Sequence, residues 1–129
     1  MADLAPDLND PRLFIDRELS LLDFFRRVLE EAKDAANPLL ERFLFVSIVS
    51  SNLGEFFMVR VAGLKQQIEA GIVESSPSGQ APAVQLEAVR GRAQELMHET
   101  RACLRELLPL LETAGIRILD YASLDPGQR

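Results

Sequence analysis

The stretch from Asn37 to Leu64 constrains the fold of this chain more than any other, because it combines a helix start signal with an unusually apolar run. Asn37-Pro38 predicts a helix start, with asparagine as the N-cap and proline at the first helical position, where its missing N–H is not needed. From Phe43 to Val49 only Ser47 is polar, which predicts a helix buried on most sides. The core of the domain should form around this segment.

Ser50-Ser51-Asn52 is predicted to end this helix and to begin another. Asn52 and Glu55 have the spacing of a capping box, in which the asparagine side chain accepts a backbone hydrogen bond at a helix start. One face of the new helix is predicted to carry Leu53, Phe56, Phe57, Arg60, Val61, Leu64 and Ile68. Arg60 is the one charge on that face and requires a partner. A carboxylate inside the bundle and a site at the edge of a neighbouring domain are equally good candidates.

A first helix is predicted before this stretch. Ser20 is a suitable N-cap for it, and the helix should end around Asp34 to Ala36. Its apolar face, at helical spacing, consists of Leu22, Phe25, Val28, Leu29 and Ala32.

A long helix is predicted after a surface loop at residues 74–82, from about Ala83 to Ala114. Its apolar stripe consists of Leu86, Val89, Ala93, Leu96, Met97, Cys103, Leu104, Leu107, Leu108 and Leu111. Pro109 should kink this helix or separate its last turn. Gly71 and Gly115 are suited to the C-terminal ends of the helices that precede them.

The predicted fold is therefore all-α, a helical bundle of about four helices with a short C-terminal extended segment. Residues 1–13 are interpreted as a loose lead-in and residues 14–115 as the bundle. Residues 116–129 are interpreted as the strand-like start of a following domain, because Ile116 to Tyr121 alternates in polarity with no second strand to pair with. We expect the chain to be part of a longer protein.

The bulk composition bounds the classes of partner. The net charge is −6, which argues against unaided binding to nucleic acid, to an anionic membrane surface or to any polyanion. A single cysteine fits a reducing compartment, and no signal peptide and no membrane-spanning stretch are apparent in the sequence. These observations predict a cytoplasmic location.

The chain offers few groups for catalysis. His98 is the only histidine, is predicted to face solvent and has no second histidine or cysteine at metal-ligand spacing. Cys103 lies on the apolar stripe, which favours a buried structural thiol over a nucleophile. No glycine-rich phosphate loop and no serine-nucleophile motif are present. We therefore predict no catalytic residue and no metal site in this chain.

Several sequence blocks occur in a specific order: Arg17-Glu-Leu-Ser20, Arg27-Val-Leu-Glu-Glu-Ala32, Asn37-Pro-Leu-Leu-Glu-Arg42, Ser51-Asn-Leu-Gly-Glu-Phe-Phe57 and Val59-Arg-Val-Ala-Gly-Leu64. Over about residues 13–121 the chain resembles the amino-terminal domain of bacterial polyphosphate kinases of the first type. The resemblance implies transfer of the terminal phosphate of ATP to polyphosphate through a phosphohistidine, in a reversible reaction. It implies a helical domain that supplies one wall of the adenine pocket, with Asn52 as the nucleotide contact.

The same resemblance assigns the other functions to domains that this chain lacks. The phosphorylated histidine, the magnesium ligands and the polyphosphate tunnel belong to those later domains. The implied partners are thus the remaining domains of a full-length, homo-oligomeric kinase, ATP as substrate, and polyphosphate through the other domains. No catalysis is expected from this chain alone.

Three positions depart from the family pattern. Leu21 stands where tryptophan is usual, Phe25 replaces an asparagine, and Gly54 stands where aspartate is usual. The alternative function, from a different class, is a free-standing helical protein-interaction module that binds a partner through an exposed apolar surface. A reading frame that continues past Arg129 into a domain with a reactive histidine would favour the kinase, and a stop codon would favour the module.

Overall fold

The computed structural model describes residues 5–71, 79 and 81–129. The helices are α1 (Arg17–Lys33), α2 (Leu39–Phe56), α3 (Ala62–Glu69) and α4 (Pro82–Thr113), and a wide π-helical turn (Phe57–Val61) joins α2 to α3. Short 3-10 turns occupy Pro11–Leu13 and Tyr121–Ser123. The predicted all-α bundle of about four helices is confirmed. Most of the loop predicted at 74–82 lies outside the described residues.

α1 begins at Arg17 because Asp16, not Ser20, is its N-cap. The Asp16 Oδ1 atom accepts the Leu19 N–H at 2.9 Å, and the Ser20 N–H already donates to the Asp16 carbonyl at 2.9 Å. The prediction of Ser20 as the cap is wrong, since an equally good capping residue lies one turn earlier. The C-cap is Asp34, where the end of the helix was expected.

Side chains of α2 and of the residues just before it hydrogen-bond to the C-terminal end of α1. Asn37 Nδ2 donates to the Glu31 carbonyl at 2.9 Å and to Glu31 Oε2 at 3.0 Å. Arg42 Nε donates to the Ala32 carbonyl at 2.8 Å. Asn37 therefore binds to the end of α1 instead of capping α2, which begins at Leu39, directly after Pro38.

α2 does not end at Ser50 to Asn52, and the predicted capping box at Asn52 is wrong. The helix continues through Asn52 to Phe56 because its buried face continues: Leu53 and Phe56 are buried at helical spacing after Val49. Polar residues weaken a helix only slightly, whereas burial of two large apolar side chains stabilises it by several times as much.

The wide turn after α2 shifts the helical register by one residue. Core-facing positions along the continuous helix are Val46, Val49, Leu53, Phe56, Val61 and Leu64. The step from Phe56 to Val61 is one residue longer than an α-helical step, and the Ala62 N–H accordingly donates to the carbonyl of Phe57, five residues before it. Val61 thereby takes the core position that Arg60 would occupy in an uninterrupted α-helix.

α4 is one helix from Pro82 to Thr113, and Pro109 does not divide it. The Thr113 hydroxyl donates to the Pro109 carbonyl at 3.0 Å, so the last turn stays attached to the helix. Beyond it, Gly115 adopts φ +91°, and the Ile116 N–H closes the end by donating to the Leu111 carbonyl at 2.8 Å. The predicted ends at Gly115 and at Gly71, which has φ +73°, are confirmed.

The core lies where α1, α2 and α4 meet. The largest fully buried side chains come from these three helices: Leu29, Val49, Val89, Leu96, Leu107 and Leu111. The apolar face predicted for α1 and the stripe predicted for α4 supply this core. Along the rim of the bundle, Asp23 pairs with Arg92 at 2.9 Å, and Arg26 and Lys33 approach Glu99 at 3.5 and 3.7 Å.

Residues 116–120 follow α4 without regular secondary structure. Within the described part of the chain this segment pairs with no strand, and the side chains of Ile118 and Tyr121 are exposed. The predicted extended segment is thus present, but it does not form a β-strand, since a strand needs a neighbour for its backbone hydrogen bonds. Its interpretation as the start of another domain stays a prediction.

By length and composition alone, the continuous helix from Leu39 to Glu69 is apolar enough to cross a membrane, with a mean hydropathy of 1.4 over its most apolar window. No membrane-spanning stretch was predicted from the sequence. Here α2 is a core helix of the bundle, and core helices commonly meet the same criterion. Only 28% of that window is buried, however, because the outward face of α2 exposes further apolar side chains, Leu40, Leu44 and Ile48.

Candidate functional site

A cleft of about 280 Å³ opens between α1 and the C-terminal end of α2. Its lining residues are Leu21 and Phe25 of α1, Asn52, Glu55 and Phe56 of α2, and Val59 and Arg60 of the wide turn. Asn52 and Arg60, the two positions that the sequence analysis singled out, therefore line the same cavity.

The wall of the cleft is apolar. The rings of Phe25 and Phe56 pack edge to face there, with centroids 6.3 Å apart and planes at 85°. Both rings are almost fully buried, so their positions are fixed by the core beneath them. Leu21 and Val59 extend this surface towards solvent. A rigid apolar wall of this kind can accept the face of a planar ring.

Asn52 lies in the body of α2 and is half-buried at the edge of the cleft. Its backbone N–H belongs to the helix, so the side chain is not engaged in capping. Among the residues that the structure describes, the Asn52 amide has no hydrogen-bond partner. The amide carries both a donor and an acceptor, and both are available to a molecule in the cleft.

The charge of Arg60 is paired within the chain. The sequence had left two candidates for its partner. The Arg60 Nη1 atom lies 3.5 Å from Oε1 of Glu18 in the first turn of α1, so the carboxylate is inside the bundle. Arg60 also lines the cleft, where a third of its side chain remains exposed. The pairing with Glu18 confirms the first candidate, a carboxylate inside the bundle, and the second candidate, a site at the edge of a neighbouring domain, stays a prediction.

Glu18 and Gln85 do not line the cleft, but they support Arg60 from behind, and the sequence did not predict either of them. Gln85 Nε2 of α4 donates to Glu18 Oε2 at 2.9 Å, so both carboxylate oxygens have a partner. In the sequence, Glu18 resembles an ordinary acidic residue at a helix start. The burial of Gln85 could have been predicted from the sequence, since it lies one helical turn before Val89 on the apolar stripe. In the structure Gln85 is only 6% exposed.

The residues that the sequence analysis placed outside any site are also outside this one. His98 is exposed on α4, as predicted. Cys103 is buried, as predicted; burial raises the pKa of its thiol, and the nearby Glu106 carboxylate raises it further. Within residues 5–71, 79 and 81–129, no three His, Cys, Asp or Glu side chains are grouped so that they could hold a metal ion.

Two of the three departures from the family pattern, Leu21 and Phe25, line the cleft. The third, Gly54, lies on the exposed side of α2, and a Cβ atom built on it would meet nothing within 4 Å. The departures therefore alter the wall of the cleft while leaving the polar groups Asn52 and Arg60 in place.

Known proteins resemble the chain over nearly its whole length. The sequence model of the polyphosphate kinase N-terminal domain matches residues 14–119. The chain is 48% identical to the polyphosphate kinase of Bacillus cereus over 127 residues, which are 97% of this chain and 18% of that protein. It is 47% identical to the polyphosphate kinase of Thermosynechococcus vestitus over 124 residues, 95% of this chain and 17% of that protein. For the polyphosphate kinase 1 of Chlorobaculum tepidum, the identity is 46% over 119 residues, 91% of this chain and 17% of that protein.

These matches cover most of this chain but less than a fifth of each relative. The bundle described above is thus the counterpart of one domain of a much longer polypeptide. The chain belongs to the polyphosphate kinase N-terminal domain family.

Proposed function

We propose that this domain forms one wall of the pocket that holds the adenine ring of ATP in a full-length polyphosphate kinase, with Asn52 hydrogen-bonded to the base. The observation that carries the proposal is the Asn52 amide, which lies half-buried in the cleft without a partner among the described residues. The amide is only partly buried, so without a ligand it can bond to water, and a ligand in the cleft would replace that water. An asparagine amide matches the adjacent donor and acceptor on an edge of adenine.

The size of the cleft supports a wall and not a complete pocket. Its volume of about 280 Å³ lies just below the range of roughly 300–1,000 Å³ that is usual for small-molecule sites. The aromatic side of the cleft would contact one face of the base, and the other face would be covered by a later domain. The remaining domains of the kinase are thus the first partners that we propose.

The phosphoryl transfer itself is proposed to take place outside this chain. Such a reaction needs a positioned nucleophile, metal ions and cationic groups around the transferred phosphate. The single histidine, His98, is exposed on α4, and the net charge is −6. We therefore assign the reactive histidine, the magnesium ions and the polyphosphate contacts to the later domains of a cytoplasmic, homo-oligomeric enzyme, with ATP as the substrate.

The test uses the full-length kinase that contains this domain, with Asn52→Ala and Asn52→Asp. Loss of one hydrogen bond to the base should cost about 1–3 kcal/mol, and an ionised aspartate cannot replace the donor. The KM for ATP should then rise roughly fivefold to a hundredfold in both variants. Because Asn52 is inside a helix and caps nothing, Asn52→Ala should keep or slightly raise the melting temperature.

The matched control is Ser51→Ala, which changes an exposed neighbour that does not line the cleft. It should leave both the KM and the melting temperature unchanged. An unaltered KM for ATP in both Asn52 variants would remove the nucleotide role from this residue.

A second candidate function, the helical interaction module, is favoured by the outward face of α2. Leu40 and Leu44 are more than half exposed there, and Ile48 is partly exposed. Under the kinase proposal this face packs against the rest of the enzyme. The mass of the native protein in a cell extract separates the two candidates. A species near 14.4 kDa, the mass of this chain, would favour the module, and a species several times larger would favour the kinase.

A further inference from the structure

We infer that Arg60 is a second ligand-contacting residue of the cleft and that Glu18, fixed in turn by Gln85, is the residue that positions it. This inference rests on the proposed function, because it concerns the same cleft. It adds a base contact other than Asn52 and assigns a role to a hydrogen-bonded group that spans α1, the wide turn and α4.

The wide turn is the first reason. In an uninterrupted α-helix, the residue four positions after Phe56 would share its buried face. The extra residue in the turn gives that place to Val61, which is 6% exposed, and leaves Arg60 at the edge of the cleft. Turns of this kind inside α-helices occur frequently at functional sites.

The fixation of Glu18 is the second reason. The Glu18 side chain is only 14% exposed, and its Oε2 atom accepts the hydrogen bond from Gln85 Nε2 at 2.9 Å. Gln85 is itself buried, and its hydrogen bond fixes the position of the Glu18 carboxylate. Its other oxygen is the one that lies near Arg60. An ordered, partly desolvated carboxylate orients a guanidinium better than a free surface carboxylate does.

The unused donors of Arg60 are the third reason. Its one close contact to Glu18, at 3.5 Å, is long for a hydrogen bond. A guanidinium carries several N–H donors in a planar fork, and within the described part of the chain none of those of Arg60 makes a hydrogen bond. Since Arg60 lines the cleft, these donors are available to acceptor atoms of a ligand there.

The charge balance of the cleft selects the part of the nucleotide that Arg60 contacts. Two carboxylates, Glu55 on the lining and Glu18 beside it, stand against the single guanidinium of Arg60. A phosphate would therefore enter a region with an excess of negative charge. An uncharged heterocycle with ring-nitrogen acceptors meets no such repulsion, and a guanidinium can also stack on its face. Arg60 thus contacts the base and not the phosphates.

The test is a titration of this chain, labelled with ¹⁵N, with adenosine and separately with ATP, followed by NMR. Adenosine should shift the resonances of cleft residues, including Asn52. Arg60→Ala should weaken adenosine and ATP by the same factor, roughly tenfold, because the lost bond is to the base. Arg60→Lys keeps the charge but not the fork, and should recover little of the affinity.

The variant Glu18→Gln tests whether Glu18 positions Arg60. It keeps an acceptor for Gln85 but removes the charge that orients Arg60, so adenosine affinity should fall severalfold. In the Arg60→Ala background the same change should have no further effect, since two residues that act through one contact are not additive. A merely structural Glu18 would give additive losses. The control is Asp23→Asn, which breaks the ion pair with Arg92 between the same two helices, away from the cleft, and should leave the affinity unchanged.

The outcomes separate this inference from the proposal on which it rests. Adenosine binding that shifts Asn52 but is insensitive to Arg60→Ala would overturn the inference and leave the proposed function standing. Binding of ATP without binding of adenosine would show that the cleft contacts the phosphates and not the base. A loss in Arg60→Ala that is confined to ATP would make Arg60 a phosphate contact. Either result would overturn the inference. If neither ligand shifts the cleft resonances at millimolar concentration, the inference fails, because Arg60 then gives this chain no measurable contact with the base. The proposed function, a wall completed by a later domain, is decided separately by the KM values of the Asn52 variants in the full-length kinase.

Discussion

The rings of Phe25 in α1 and Phe56 in α2 meet edge to face with their centroids 6.3 Å apart. Phe56 meets Phe57 in the same manner at 6.2 Å, so a row of aromatic contacts leads from α1 to the wide turn. The pair of Phe25 and Phe56 belongs to the hydrophobic core and also lines the cleft. The stability of the bundle and the shape of the candidate site therefore depend on the same two side chains.

The first prediction concerns this pair. Phe25→Ala removes a ring that is 6% exposed, and it should lower the free energy of unfolding by about 3–5 kcal/mol. Urea denaturation followed by circular dichroism measures the loss. Phe24→Ala is the matched control, because the neighbouring ring is 56% exposed and its removal should change the stability by about 0.5 kcal/mol or less. Equal losses in the two variants would contradict the packing described.

The second prediction separates the observed start of α1 from the predicted one. Asp16→Ala removes the acceptor for the Leu19 N–H and should cost about 0.5–2 kcal/mol, whereas Ser20→Ala should be nearly silent. Asp16→Ser should cost less than Asp16→Ala, since it keeps a capping oxygen and omits the buried Oδ2, which has no partner in the described structure. Thermal melts of the three variants give the ranking. A larger loss in Ser20→Ala would place the helix start where the sequence analysis expected it.

The course of α2 through Asn52 shows which features of the candidate site could be predicted from the sequence. The polar triplet at Ser50 to Asn52 is a reasonable local signal for a helix boundary, and the capping box supported it. The buried positions Val49 and Leu53 continue at helical spacing across that boundary. Tertiary burial outweighs a local cap signal of about 1 kcal/mol, so the helix continues. The prediction that Asn52 contacts the nucleotide came from the family resemblance and not from its backbone setting.

The partners of Arg60 could not have been predicted from the sequence. The need for a partner was evident, because a charge lay among apolar neighbours. The partner is Glu18, and Glu18 is fixed by Gln85, 67 positions further along the chain. Which residues of three helices meet depends on the relative rotation and register of those helices. The extra residue in the wide turn, which alters the register, has no recognisable signature in the sequence.

The third prediction concerns the buried thiol of Cys103. Burial raises its pKa above the ordinary value of 9.0, so the folded protein holds the thiol proton more tightly than the unfolded chain does. A raised pKa contributes stability that is present below the unfolded pKa and is lost as the pH rises through and above it. Stability should therefore decline above about pH 9 more steeply in the native sequence than in Cys103→Ala.

Reaction with a thiol reagent gives an independent measurement of the same burial. At pH 8 the native protein should react slowly and the urea-unfolded protein rapidly, because the thiolate is both scarce and inaccessible in the fold. Rapid reaction of the native protein would show that Cys103 is accessible.

The last prediction concerns the wide turn at Phe57–Val61. Met58 is 77% exposed and contributes no core packing. Deletion of Met58 shortens the step from Phe56 to Val61 to that of a regular α-helix, so Val61 and Leu64 stay on the buried face. We expect the variant to fold with a helical spectrum and a melting temperature near that of the native chain. Arg60 still directly precedes Val61 and therefore keeps its direction relative to the core, so it should still reach Glu18, and adenosine affinity should fall far less than in Arg60→Ala. Met58→Ala is the control, because it keeps the residue count and the turn, and it should change neither property. A deletion variant that fails to fold would show that the turn is needed for the bundle itself, and one that folds but loses as much adenosine affinity as Arg60→Ala would show that the extra residue itself places Arg60.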